Sequence, residues 1–316
     1  LALGNLFRRR GEVERAIRIH QNLIARPSLN TDQRHHALFE LAEDYLRAGL
    51  LDRAENLFQE VVDSGVYVNQ ALRQLLDIYQ QEKEWDRAIA VASRVDADGG
   101  GARAGQVAQY YCEQAANAWR AGDVNEARHR LKRALTVDPK CVRASILQGE
   151  IDRATGHIKQ ALKAYQRVRQ QDPDYIPEVL TGLHACYRRL GRERDYRSYL
   201  EGLRRDYNGT SVVLALADVI QASEGDSAAA SYLIGELRAR PSVRGLNRLV
   251  ELDLSDSEGL KAGDLDVLRE LVRSLLDERS RYSCRNCGFD ARTLHWQCPS
   301  CRSWGTVKPV HGAQGE

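Results

Sequence analysis

The residues best able to do chemistry lie near the C-terminus. Cys284-Arg285-Asn286-Cys287 is followed, ten residues on, by Cys298-Pro299-Ser300-Cys301. Two Cys-x-x-Cys pairs across a short spacer are the sequence form of a tetrahedral four-thiolate metal site. Each pair wraps a tight turn around one ion, and the spacer is long enough for a hairpin. Closed Cys₄ coordination leaves no open position for a substrate, so the chemistry expected is structural or electron-carrying and not catalytic. His295 lies between the pairs, but four sulfurs already suffice and it reads as a surface residue.

Zinc and iron both accept four thiolates in this geometry. We expect one zinc ion in a structural role, with iron as the alternative. Gly288 after the first pair lets the backbone turn its amides toward sulfur, whereas Arg302 stands at the matching place after the second. Phe289, Leu294, Trp296 and Trp304 are available to cover the ion and to meet a scaffold. Cys-x-x-Cys-Gly and Cys-Pro-x-Cys resemble rubredoxin knuckles.

The other three of the seven cysteines, Cys112, Cys141 and Cys186, are scattered along helical stretches. They read as buried hydrophobes, not as a disulfide framework. No phosphate-cradling loop is present, because Gly99 to Gly101 lacks a following Lys-Ser/Thr. The His35-His36 pair shows no carboxylate at metal-ligand spacing and reads as helix surface. No enzyme is expected.

The elements that must position the cysteines form a repeat. Gly11, Gly49, Lys83, Gly122, Gly156, Gly191 and Gly225 recur at steps of 38, 34, 39, 34, 35 and 34 residues. Five residues after each stands Ala16, Ala54, Ala88, Ala127, Ala161, Tyr196 or Ala230. A period near 34 marks a tetratricopeptide repeat, a pair of antiparallel helices. The glycine ends the first helix in a left-handed conformation, and the alanine lets the pair approach closely. Phe7, Tyr45, Tyr79 and Tyr187, with Phe58, Leu131, Tyr165 and Leu200, fill the grooves. Pro139, Pro173 and Pro241 fall where second helices stop.

The chain therefore resembles the tetratricopeptide family over residues 1–241, about seven units with the first truncated. Tyr196, His184 and Asp218 stand where small residues are usual, so the sixth and seventh units should pack least regularly. Asp98-Gly99-Gly100-Gly101 reads as a flexible insertion. Residues 242–280 read as a degenerate capping helix pair and 281–316 as the metal module. Only Ser280 to Ser283 separate that cap from Cys284, a reach of roughly 14 Å, so the module must dock on the helices. The fold class expected is all-α, a repeat superhelix with a small rubredoxin-like or zinc-ribbon module docked on it.

The net charge of +2 balances 46 basic against 44 acidic residues and makes no case for nucleic acid. In the module, Arg281, Arg285, Arg292, Arg302 and Lys308 face Asp290 and Glu316, too sparse for a binding stripe. No apolar run reaches membrane-spanning length. The chain lacks methionine and begins inside the periodic pattern, which predicts a fragment whose N-terminal anchor, if it has one, lies outside it.

Stacked helix pairs bind proteins on the face lined by their first helices. On this repeat phase that face includes Asn5, Arg8, Arg9, Glu43, Arg47, Asp77, Arg120, Glu150, Arg153, Arg188 and Arg189. A clamp for chaperone C-termini would need Asn and Lys or Arg where Glu40, Gln70 and Gln74 stand, so none is expected.

Gly4-Asn5-Leu6-Phe7 and Gly11 to Gln21 at the start, with Tyr282 to Phe289 and His295 to Cys301 at the end, resemble the lipopolysaccharide assembly protein B family. The resemblance covers essentially the whole chain. It implies a non-enzymatic adaptor on the cytoplasmic face of the bacterial inner membrane, held there by one N-terminal transmembrane helix. It further implies presentation of the deacetylase LpxC to the membrane protease FtsH, restraining lipid A synthesis, and leaves homo-oligomerisation open. The alternatives are an iron electron-transfer or metal-sensing protein, or a Cys₄ nucleic-acid module on a helical scaffold.

Overall fold

A computed structural model describes residues 1–95, 100–253, 280–312 and 315–316. The described chain is helical apart from one small sheet. It folds as two compact units, Leu1–Gln114 and Ala115–Glu316.

The first unit contains α1 (Ala2–Arg9), α2 (Val13–Ile24), α3 (Thr31–Arg47), α4 (Leu51–Asp63), α5 (Val68–Glu82), α6 (Trp85–Ala92) and most of α7 (Gly100–Arg120). The second holds the end of α7, then α8 (Val124–Val137), α9 (Val142–Ala154), α10 (Ile158–Gln171), α11 (Ile176–Arg189), α12 (Glu193–Asp206), α13 (Thr210–Glu224), α14 (Asp226–Ala239) and α15 (Val243–Asp253).

The repeat is written in the turns. All six expected glycines have positive φ; Lys83 is left-handed at φ 60° and ψ 28°, whereas Gly225 has positive φ with an extended ψ of 177°. The hydrogen bonds repeat as well. The amide of Glu12 donates to Phe7 O, that of Leu50 to Tyr45 O, that of Glu84 to Tyr79 O and that of Arg192 to Tyr187 O. Each of these four turns is therefore closed five residues back, at the aromatic that fills the groove.

The small residues follow. Ala16, Ala54, Ala88, Ala127 and Ala161 are completely buried, as is Phe58, while Leu131 and Tyr165 nearly are. The ring of Tyr165 lies over two glycines, Gly149 of α9 and Gly182 of α11. A Cβ at either position would come within 2.6 Å of that ring. In the last pair the buried residue is Ala229, not the expected Ala230. Gly225 there is both the turn residue and the residue preceding α14, so the turn is one residue shorter and the helix phase shifts by one.

Four polar side chains are linked inside the first unit. Fully buried His20 places Nδ1 2.6 Å from Oδ2 of buried Asp44, whose other oxygen accepts from Arg8 at 2.8 Å. Arg8 also donates to the Glu40 carboxylate at 2.6 Å. Burial pushes the Glu40 carboxyl up, but the hydrogen bonds from Arg8 and Asn5 and the Arg8 charge outweigh it, leaving it below its ordinary value. His36 does have a carboxylate partner, contrary to expectation: Glu40, one turn on, lies 3.4 Å away. Cys112, Cys141 and Cys186 are buried.

The insertion expected at Asp98–Gly101 falls partly on residues 96–99, and most of the expected cap on residues 254–279; both stretches lie outside the described residues. Among the described residues no helix is long and apolar enough to cross a membrane.

Candidate metal centre

The module is a three-stranded antiparallel sheet, in the order β2 (Asp290–Ala291), β1 (Tyr282–Cys284), β3 (Val307–Pro309). Both knuckles are built alike. The amide of Cys284 donates to Phe289 O and that of Cys298 to Ser303 O, each five residues on. The amides of Gly288 and Arg302 return to the carbonyls of Cys284 and Cys298, both at 2.9 Å. Gly288 has φ 74° and Arg302 φ 56°. Arg302 thus holds the turn that glycine was expected to need.

The two turns bring four sulfurs within 4.8 Å of one another. Cys284 Sγ lies 3.7 Å from Cys301 Sγ, and Cys287 Sγ 3.7 Å from Cys298 Sγ. Sulfurs about 2.3 Å from a tetrahedral zinc are separated by about 3.8 Å. The donor set therefore fits one such ion, and Cys284, Cys287, Cys298 and Cys301 would hold it. His295 is not among the clustered donors; it is half-buried, beside Phe289 and Thr293.

The surroundings favour thiolates unequally. Burial raises Cys284, but the Thr306 hydroxyl and the backbone amides of Cys287 and Asn286 outweigh it and leave the thiol below its ordinary value. Hydrogen bonds from Asn286 and Ser303 bring Cys301 down to about 5. Burial pushes Cys298 up to about 11. A bound cation would offset that cost at the most enclosed sulfur.

The module is fastened to the second unit by contacts that no spacing in the sequence announces. Between α10 and α11 a 3-10 turn, Pro173–Tyr175, carries Tyr175. Its hydroxyl is shared between Gly305 O at 3.3 Å and Val307 O at 3.1 Å. Its ring stacks on Trp296 with centroids 5.3 Å apart. Lys308 donates to Asp172 at 2.8 Å and to Asp174 at 3.0 Å. Tyr282 donates to Glu178 at 2.6 Å. Arg143 lies against Trp296 and Trp304, and Glu316 reaches Ser211 and Arg244. Leu294 joins the module's sulfur cluster to the helical core. Docking was expected from the short connection, and Leu294, Trp296 and Trp304 meet the helices as expected; the parts played by Tyr175, Glu178, Tyr282 and Lys308 were not.

The rubredoxin metal binding domain family matches residues 282–309, and tetratricopeptide repeat families match 1–33, 39–102 and 112–176. Lipopolysaccharide assembly protein B of Escherichia coli K12 is 40% identical over 316 residues, covering all of this chain and 81% of that protein. The chain belongs to the lipopolysaccharide assembly protein B family. The Haemophilus influenzae member is 39% identical over 311 residues, 98% of this chain and 78% of that protein. A tetratricopeptide repeat protein from Parabacteroides merdae aligns at 12% identity and TM-score 0.36, over 86% of this chain and 96% of that one. As expected for the family, this chain is a helical repeat scaffold carrying a metal-binding module.

The surface residues expected to meet partners divide between the units. Asn5, Arg8, Arg9, Glu43, Arg47 and Asp77 belong to the first, and Arg120, Glu150, Arg153, Arg188 and Arg189 to the second. All lie on first helices of their pairs. Arg8 is committed inside the fold to Glu40 and Asp44, and Arg120 donates to Asn117. Arg9, Arg47, Arg153, Arg188 and Arg189 are exposed.

Proposed function

We propose that the protein is a non-enzymatic adaptor in lipopolysaccharide assembly, presenting LpxC to FtsH at the cytoplasmic face of the inner membrane through an anchor outside this chain. The observation that carries the scaffold reading is the fastening of the sulfur cluster to the helices through Tyr175, Lys308 and Tyr282. A site with four protein donors has no position left for a substrate, and repeat helices offer wide surfaces for proteins. The names of the relatives supply the process, and the family resemblance supplies the two partners.

In this reading, residues 1–241 form the repeat array, 242–280 join it to the module, and 281–316 hold one zinc ion at Cys284, Cys287, Cys298 and Cys301. The first-helix residues retained as a partner surface are Asn5, Arg9, Glu43, Arg47, Asp77, Arg120, Glu150, Arg153, Arg188 and Arg189. Holding two proteins on one body raises their effective concentration without chemistry by the holder. The test is the half-life of LpxC in bacteria whose own adaptor is replaced by this protein in membrane-anchored form. Restored turnover that requires FtsH is expected; unregulated LpxC despite folded, zinc-loaded protein would overturn the reading.

Cys287 is exposed, which favours one second reading, an iron site exchanging electrons through that sulfur. Stoichiometric zinc in colourless protein is the result expected of the adaptor; a red protein that bleaches on reduction would support the iron site.

A further inference from the structure

The sixth helix pair departs from the repeat where the others are most uniform. Tyr196 stands where the other pairs bury a small alanine, and its buried ring stacks on His184 with centroids 5.1 Å apart and planes 7° apart. The hydroxyl donates to Leu180 O at 3.4 Å. A ring cannot occupy an alanine's place without separating the helices. Accordingly α11 and α12 pack less closely than α3 with α4 or α9 with α10.

The separation leaves a cleft of about 550 Å³ between α11, the start of α12 and α13, within the size range of built ligand sites. Leu180, Tyr196, Ala215, Val219 and Ala222 give it apolar walls. Charge gathers at the rim, and most of it is already matched. Arg197 pairs with Glu201 and Glu224, and Asp218 with Arg248. Arg194 is different. It lies in the first turn of α12, where the helix dipole disfavours a cation, and has no carboxylate partner among the described residues. Its neighbour Glu193, also without an ion-pair partner among the described residues, is favoured by that same dipole. Exposed Arg188, one turn beyond His184 on the same face of α11, is a second cation without an ion-pair partner among the described residues.

We propose that this cleft is a docking pocket for an acidic segment of a protein partner that inserts one aromatic or large apolar side chain. The anchor lies over the Tyr196–His184 stack, and the segment's carboxylates meet Arg194 and Arg188. An apolar floor inside a polar rim is the arrangement that concentrates binding energy in one anchor. The inference rests on the adaptor reading and names a surface for it.

The probe is a fluorescein-labelled peptide of sequence Gly-Ser-Asp-Trp-Asp-Glu-Ser-Gly, titrated with the whole purified chain and followed by anisotropy. Saturable binding is expected. It should be lost when the peptide's Trp becomes Ala or its acidic residues become Lys. Ala222→Trp, which fills the cleft, should abolish it, and Arg194→Glu should weaken it about tenfold. Arg194→Glu alters an exposed side chain and replaces a cation that the helix dipole disfavours, so it is expected not to lower the thermal midpoint, which separates lost binding from lost fold. No saturation by about 1 mM protein, or equal binding by both variants, overturns the proposal. So does concentration-dependent dimerisation that Ala222→Trp abolishes, which would assign the cleft to a second copy. Failure here leaves the adaptor reading standing, because LpxC turnover tests that separately.

Discussion

The hydroxyl of Tyr175 lies 3.1 Å from the carbonyl oxygen of Val307, 132 residues away in sequence. One side chain at the α10–α11 turn thus satisfies the backbone of the metal module's last strand while stacking on Trp296. Burial and the neighbouring carboxylates Asp172, Asp174 and Glu178 hold its phenol well above the ordinary range, so it stays a proton donor at any physiological pH. Tyr175→Phe keeps the stack and removes the donor, leaving enclosed carbonyls without it. The expected cost is about 1–3 kcal/mol. Hydrogen exchange should read it as faster amide exchange at residues 305–309, with metal content unchanged.

The metal should hold the module together more than it holds the helices. A small sheet around Cys284, Cys298 and Val307 has little apolar core of its own, and structural zinc sites supply about 10–16 kcal/mol to such segments. Chelation, or Cys298→Ser, should unfold residues 282–312 and expose Trp296 and Trp304 to water. Fluorescence would shift to the red while the far-UV helical signal is largely kept. Partner regulation should suffer more than from loss of any one first-helix charge. An unshifted tryptophan emission in metal-free protein would refute this.

These contacts explain what could and could not be seen beforehand. Turn glycines and buried alanines are local and periodic, so spacing alone reveals them, and two Cys-x-x-Cys pairs define a coordination shell by themselves. Tyr175, Glu178 and Lys308 carry no such mark: each acts through a partner more than a hundred residues away. Ala229 was missed because a turn shortened by one residue moves the buried position without changing the composition. Arg302 and Lys83 stand where glycine is usual, and their residue type gives no sign of the left-handed turn that both adopt.

Lys83 offers a direct measurement of what that turn costs. Its φ of 60° costs a non-glycine residue roughly 1–2 kcal/mol, partly offset by glycine's greater freedom in the unfolded chain. Lys83→Gly should therefore stabilise the first unit by about 0.5–1 kcal/mol. Urea unfolding should show a higher midpoint at unchanged slope. Arg302→Gly should do the same for the module, read as slower release of metal to a chelator.

The docking of the module should have a pH optimum, because its carboxylates are shifted in opposite directions. Burial pushes Asp174 up, but the hydrogen bond and charge of Lys308, with His311, outweigh it and hold the carboxyl below its ordinary value. Its contribution is present above the unfolded pKa of about 3.9 and is lost as pH falls through the lower folded value. Burial raises Glu178, and the hydrogen bond from Tyr282 only partly opposes it. Glu178 therefore favours the docked state below an ordinary Glu pKa of about 4.3, and that contribution fades as pH rises through its raised value. Lys308, held up by Asp172 and Asp174 against the effect of burial, contributes until pH passes above its raised folded pKa. Protection of residues 305–309 from exchange, corrected for intrinsic rates, should accordingly peak in mildly acidic solution and fall steeply below about pH 4. Asp174→Asn should remove the acid fall that Asp174 causes, and Glu178→Gln should flatten the decline toward neutrality. An acid limb unchanged by Asp174→Asn would show that other groups release the module.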